Sequence, residues 1–360
     1  MFQTNTQLVN FAAESTPGVY ASAVETADPF VRFDTATFGK SVEIEDNTFL
    51  SGDWGNSEVA GTGAKLGTAS LGFKLTGGEF TPAPIAHKLT YKDLLSSVGL
   101  DVVGKGVGAL DATAGKYHFF PASSEACKSL SLARFFKEAC GASLEGYMET
   151  LRGCMGTYSI SVGGRGQPFV LGLEYQGSVE KVEKVELVDI PVFDDDAAMH
   201  VIPDKFLNTT ITLTNLSKGN LATTHCVSTL TLDGGNVISE IECQETDSGI
   251  LNHLITDIAP MFTIDPALRS VTDFDAWGSL VDGDVYNVEV QSESLGILIP
   301  RAQMTTAEAA DANGFMRTSI AFRPLRNSGS VLPVGLLLAD VVNVKEAMFF
   351  ITVAEKLADF

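Results

Sequence analysis

Gly61-Thr-Gly-Ala-Lys-Leu-Gly67 carries the glycines and the lysine of a loop that cradles phosphate. Such a loop works because it opens a helix, whose unpaired N–H groups receive the anion. Here the spacing is one residue too long and the residues that follow read as a strand, so the segment reads as a flexible loop. Gly104-Lys-Gly-Val-Gly108 fails for the same reason. Asp194, Asp195 and Asp196 with His200 offer ligands for a hard cation, but without the spacing of a calcium loop. A short acidic run of this kind is ordinarily a solvated surface. Asp273 and Asp275 fall in the first turn of an expected helix, and Asp282 and Asp284 flank Gly283 in an expected turn. Capping and turn chemistry account for all four.

Nucleophilic catalysis has no foothold either. His87, His118, His200, His225 and His253 are scattered, and neither a G-x-S-x-G elbow nor an H-E-x-x-H pair occurs. His225 adjoins Cys226, yet neighbours on a strand point to opposite faces. The five cysteines are odd in number, widely spaced and without a C-x-x-C pair. They read as reduced thiols rather than a zinc site or a disulfide framework. The expectation is a protein that is not an enzyme and holds no cofactor and no metal.

The elements that carry these residues are mostly strands. Ser41–Glu45, Thr157–Val162, Thr210–Thr214, Thr229–Leu232, Tyr286–Gln291 and Arg317–Phe322 alternate with period two, and glycine-rich turns punctuate them. Helices are expected near Thr90–Val98, Ser129–Ala139 and Thr272–Leu280, with a further one near Thr305–Ala312. The chain has 360 residues, 45% of them hydrophobic, which suits two globular domains. Two tandem β-sandwich or barrel-like domains are expected, each flanked by a short helix. They span 1–178, with an N-terminal arm over 1–30 and a long loop over 46–69, and 205–360, joined by a linker over 179–204. The formal net charge of −21 argues against a surface that grips nucleic acid. The opening residues do not read as a secretory signal. The most apolar stretch, Val331–Ala339, is far short of the roughly 20 residues that span a bilayer, so no membrane insertion is expected.

A faint internal echo aligns Gly67–Asp93 with Gly249–Asp275. Phe80-Thr81 meets Phe262-Thr263, Pro84 meets Pro266, Thr90 meets Thr272 and Asp93 meets Asp275. In both copies a strand ends at a proline and a Thr-x-x-Asp pair opens a helix. The shift is close to half the chain, which predicts a duplicated domain whose two copies superpose.

Several segments resemble the major tail (tail tube) proteins of long, non-contractile bacteriophage tails. They are Ala13-Glu-Ser-Thr-Pro-Gly-Val-Tyr20, Gly249–Pro266 with Phe274-Asp-Ala-Trp277, and Asn313-Gly314 leading into Arg317–Arg323. The resemblance implies a structural virion protein of the tail, assembled in the host cytoplasm into stacked rings around a DNA channel. Its partners would be further copies of itself, in threefold rings of duplicated subunits or in sixfold rings. A tape measure protein and phage DNA would occupy the lumen, with tail terminator and distal tail proteins at the ends. Glu43, Glu45, Glu174, Glu240, Glu242 and Glu289 are then candidates for an acidic lumen wall. Asp53, Trp54, Asn56, Glu58 and Lys65 are candidates for an inter-ring loop. A β-rich binding or adhesion module is the alternative, and a polysaccharide hydrolase or lyase is a third class.

Overall fold

The computed structural model describes residues 2–26, 31, 33–45, 61–75, 92–105, 116–122, 128–138, 145–164, 166–186, 205–243, 245–246, 248–267, 274–293, 295–312, 315–327, 332–333 and 347–354. The first half contributes β1 (Phe2–Ala13), β2 (Thr35–Glu45), β3 (Gly61–Lys74), α1 (Lys92–Ser96), β4 (Leu100–Lys105), β5 (Lys116–Pro121), β6 (Leu130–Glu138), β7 (Glu145–Val162) and β8 (Val170–Glu186). The second contributes β9 (Thr210–Asn215), β10 (Leu221–His225), β11 (Val227–Asp233), β12 (Asn236–Glu242), β13 (Ile250–Ile258), β14 (Met261–Pro266), α2 (Ala276–Asp282), β15 (Val285–Gln291), β16 (Leu295–Ala312), β17 (Phe315–Pro324) and β18 (Phe350–Ala354). The fold is all-β and antiparallel, with two short α-helices among the described residues. Each alternating segment in the sequence forms a strand.

Two expected helices are strands instead. Ser129–Ala139 contains β6, whose Arg134 side chain lies between the rings of Phe38 and Phe136, 4.7 and 4.5 Å from their centroids. It also pairs with Glu149 on β7, and Lys40 reaches the same carboxylate from β2. This ion network and its aromatic packing override the helical preference of an Ala-, Arg-, Lys- and Glu-bearing segment. Thr305–Ala312 extends β16 along the β17 ladder. The N-terminal arm is strand over 2–13 and pairs with β6. The stretch read as the start of a linker, Val179–Glu186, is the far end of β8, paired with Glu145–Leu151 of β7. Residues 187–204 lie outside the described residues.

The strand order repeats. The first six-strand unit is β1-β6-β7-β8-β3-β2, and the second is β9-β15-β16-β17-β14-β11. Corresponding strands also follow one another in the same chain order, with α1 and α2 at the same place in each. The same order of strands thus occurs twice, but not in the alignment that the echo suggested. Gly67 lies within β3, whereas Gly249 precedes β13, which pairs only with β12 in a separate two-stranded sheet. The topological counterpart of β3 is β14. The echo's Phe80-Thr81 and Pro84 lie outside the described residues.

Strand β7 joins the units. Its register with β8 shifts between Arg152 and Met155, at Gly153 with φ 60°. Before the break it lies between β6 and β8; after it, Ser159–Val162 pairs with Leu230–Asp233 of β11. The main path of the sheet is thus continuous through both units and stays open, ending at β2 and β10. Ile160 and Val162 share one buried core with Leu230, Leu232, Phe262 and Phe322. Each such side chain contributes about 1.5–3 kcal/mol by leaving water, so the halves are not separable bodies with private cores. β18 adds a second tie by pairing with both β16 and β5.

The opening Glu14-Ser-Thr-Pro-Gly18 owes its residue types to the break in β7. The Glu14 carboxylate is 6% exposed and accepts from Gly18 N (2.8 Å), Gly153 N (2.7 Å), Ser129 Oγ (2.5 Å) and Ser131 Oγ (2.8 Å). Four donors from three segments replace the water that a buried charge loses. Gly18 has φ 78°, and a Cβ there would meet the Leu251 carbonyl oxygen at 2.2 Å. Glu14→Gln turns an acceptor toward some of these donors into a donor. We expect it to lower stability by about 2–4 kcal/mol, read as a shift of the denaturant midpoint. An unchanged midpoint would show that the carboxylate does not anchor the arm.

Candidate assembly surface

Within the chain, one unit presents the late part of its β7 edge and the next presents its β11 edge. The equivalent edges at the two ends are β16 over residues 305–312 and β2. β15 occupies the first part of β16 and stops at Gln303, and β2 pairs with β3 alone among the described residues. An unpaired edge presents backbone donors and acceptors that another strand can satisfy. Among the described residues the sheet therefore leaves unpaired both halves of the joint it already contains once.

The face of this sheet turned away from the core is small and hydroxyl-rich. Thr37, Ser70, Glu174 and Thr157 stand in one row, and Ser161, Thr231, Thr263, Ala321 and Thr306 in another. The outward acids are Glu174, Asp233, Asp265 and Glu308. Of the cations, Lys74 lies 3.6 Å from Asp34, and Arg317 and Arg323 are on β17. No outward aromatic ring interrupts it among the described residues. It lacks the clustered cations and stacking platforms by which proteins hold nucleic acid. A cleft of about 270 Å³ opens on this face where β12 begins, lined by hydroxyls, Glu174, Gln176 and Asn236. Its one aromatic neighbour, Tyr175, is buried.

The six acidic candidates do not form one row. Glu174 is on this face and exposed. Glu289 is exposed on β15, the counterpart of β6, and so belongs to the other part of its unit. Glu240 and Glu242 are exposed on β12, in the separate hairpin. Glu43 and Glu45 belong to β2, with side chains outside the described residues. Asp233, Asp265 and Glu308 were missed because only strand order brings them beside Glu174. Of the inter-ring candidates, Lys65 is exposed on β3 and its N–H donates to the Ser248 carbonyl at 3.1 Å, so it is not a loop residue. Asp53, Trp54, Asn56 and Glu58 lie outside the described residues.

Several residues considered for chemistry have structural roles. Gly61–Gly67 is part of β3. His225 is buried, edge-on to Phe274 at 4.7 Å, while Cys226 is exposed, so the two point apart. Asp275 caps α2 by accepting from Gly278 N at 2.8 Å, and Gly283 closes it. Asp284, 4% exposed, accepts from Lys218 and from Asn215, both at 2.9 Å. Burial pushes the Asp284 pKa upward, but these bonds outweigh it and hold the carboxyl below its ordinary value. Asp194–Asp196, His200 and Asp273 lie outside the described residues. Among the described residues no group of three or more His, Cys, Asp or Glu is placed to hold a metal, and no helix is long and apolar enough to cross a membrane.

The hairpin β12–β13 clasps one unit to the other. Asn236 Nδ2 donates to the carbonyls of Val98 (2.7 Å) and Gly156 (2.9 Å), and Arg152 reaches Ser248 Oγ at 3.0 Å. His253 is buried under the hairpin with Glu240 Oε1 3.9 Å from Nε2. The chain matches no protein-family model, and no curated protein is significantly similar to it.

Burial lowers the His253 pKa from its ordinary value of 6.5, against the opposing pull of Glu240 and the Gly153 backbone. The folded state thus binds fewer protons here than the unfolded chain. The group costs no stability above about pH 6.5 and progressively more as pH falls from there toward the folded pKa. Denaturant midpoints measured from pH 7.5 to 5.5 should fall for the parent protein and fall less for His253→Gln. Parallel profiles would remove His253 from the clasp's pH response.

Proposed function

We propose that this chain is a structural protein that polymerises into stacked rings, the tube of a long, non-contractile viral tail through which DNA is delivered. The observation that carries this reading is the repeated unit. A joint between two units is made inside the chain, and among the described residues the same pair of edges is left open elsewhere in the sheet. Pairing β16 of one copy with β2 of the next repeats that joint and removes both edges. Three copies then supply six units to a ring, the threefold arrangement of duplicated subunits. A sixfold ring of whole chains would instead make the two units play different parts, although their strand orders match.

The hydroxyl face with Glu174, Asp233, Asp265 and Glu308 becomes the wall of the channel in this arrangement. Its lack of clustered cations suits a surface past which a polyanion slides. The phage DNA and a tape measure protein would be the lumen's contents. Terminator and distal tail proteins would cap the tube of the virion. The segments resembling tail tube proteins support the same conclusion. The reading as a binding or adhesion module gains nothing from the cleft, which offers no exposed ring for stacking on a sugar.

Negative-stain images of the concentrated protein should show rings or tubes with a central hole and sixfold texture. Hydrogen exchange should slow on assembly at residues 35–42 and 305–312. A protein that stays monomeric, or assembles with both edges exchanging as before, refutes the proposed joint.

A further inference from the structure

Among the described residues, the hairpin β12–β13 shares no ladder with the rest of the sheet. It continues β11 and β14 as one ribbon, folded out of the main sheet at Gly234-Gly235 and Ala259-Pro260. Gly235 has φ 59°, and a Cβ there would meet the Ala259 carbonyl oxygen at 2.2 Å, so glycine sets this narrow hinge. Beyond the hinge, the bonds to the first unit include those of Asn236 to Val98 and Gly156 and that of Arg152 to Ser248. The Ser248 carbonyl also accepts from Lys65 N–H. Val237, Leu251 and Leu254 are exposed on the ribbon. A segment held by few bonds, with apolar side chains left in water, opens at lower cost than the core.

His253 lies under this ribbon at 0% exposure, and neither ring nitrogen has a hydrogen-bond partner. Its cross-strand neighbour Glu240 comes only to 3.9 Å of Nε2, too far for a hydrogen bond. The other charged groups on the elements packed here are engaged or exposed. Arg152 of β7 pairs with Glu180 of β8 at 3.0 Å, and Glu14 of the arm is taken up by its four donors. Lys65 of β3, like Glu242 and Asp257 of the ribbon itself, is exposed. A protonated ring carries two N–H donors. Both would be buried here without an acceptor, whereas water satisfies both once the ribbon lifts. We infer that β12–β13 is an acid-released clasp, which swings away from the first unit as one piece when His253 takes up a proton, while the continuous sheet stays paired. This is independent of the ring reading, and it gives the fold a device that loosens the bracing between its two units. Burial disfavours the charged ring more strongly than Glu240 and the Gly153 backbone favour it, which agrees in direction.

Amide hydrogen exchange of the full chain, corrected for the intrinsic rate at each pH, reads this opening directly. At pH 7.5, residues 237–242 and 251–258 should be less protected than β8 and β17. Low denaturant should hardly change their exchange, because lifting the ribbon exposes little surface. From pH 7.5 to 5.5 their protection should fall by roughly tenfold, the limit for one proton taken up at an ordinary histidine pKa. His253→Gln should abolish that fall. Glu240→Gln removes the neighbouring acid from a partly exposed position, and should keep the fall or steepen it. A hairpin as protected and as denaturant-sensitive as β8 overturns the separate opening. Protection that ignores pH, or that falls equally in His253→Gln, overturns the role of the histidine. If His253→Gln does not fold, the parent and Glu240→Gln decide, since a fall lost in Glu240→Gln belongs to the carboxylate and overturns the proposal.

Discussion

The pairing of β7 with β11 is the interaction on which the rest of the architecture depends. A single long strand is hydrogen-bonded to β8 along one side and changes partner on the other, from β6 to β11, at the irregularity around Gly153. Without that change the two units would be separate sheets, each with an open edge and a smaller core. With it, Ile160, Val162, Leu230 and Leu232 become interior residues, and one continuous surface extends through both units. The Glu14 carboxylate holds the place where the change occurs. Glu149, bracketed by Arg134 and Lys40, holds the preceding part of the same strand against β2. Both are charges kept in the interior by full sets of partners, which makes the bend a specified position rather than a soft one.

How much of this was legible in the sequence depended on whether the signal was local. Alternating segments such as Tyr286–Gln291 and Arg317–Phe322 show their buried and exposed faces directly, and they are strands. Asp275 and Gly283 mark the two ends of α2 by ordinary capping chemistry. The failures at Ser129–Ala139 and Thr305–Ala312 share a cause. Their alanines, glutamates and basic residues favour a helix in isolation, and partners far away in sequence decide otherwise. Arg134 finds Phe38, and Thr306 finds Ala321, only after the sheet exists.

The repeated strand order is misplaced by the sequence echo for a related reason. Two units can share a strand order while keeping few residues in common. An insertion such as β12–β13 then displaces any ungapped alignment. Order along the chain and order across the sheet, taken together, restored the correspondence of β3 with β14. The outward acids were hidden in the same way. Glu174 was visible as a lone charge in a strand, but its companions Asp233, Asp265 and Glu308 come from three other strands. Their common direction is a property of the register.

The Glu14 anchor also has a consequence for the order of events during synthesis. Gly18 is close by, but the other three donors, Ser129, Ser131 and Gly153, lie up to 139 positions later than the carboxylate. Glu14 therefore has no complete set of partners until residue 153 has left the ribosome. β7 in turn lacks its second partner until residue 233 has been made. Such distant closures are slow to form. They also act as a clock, because the joint between the two units cannot close before both partners of β7 have been made.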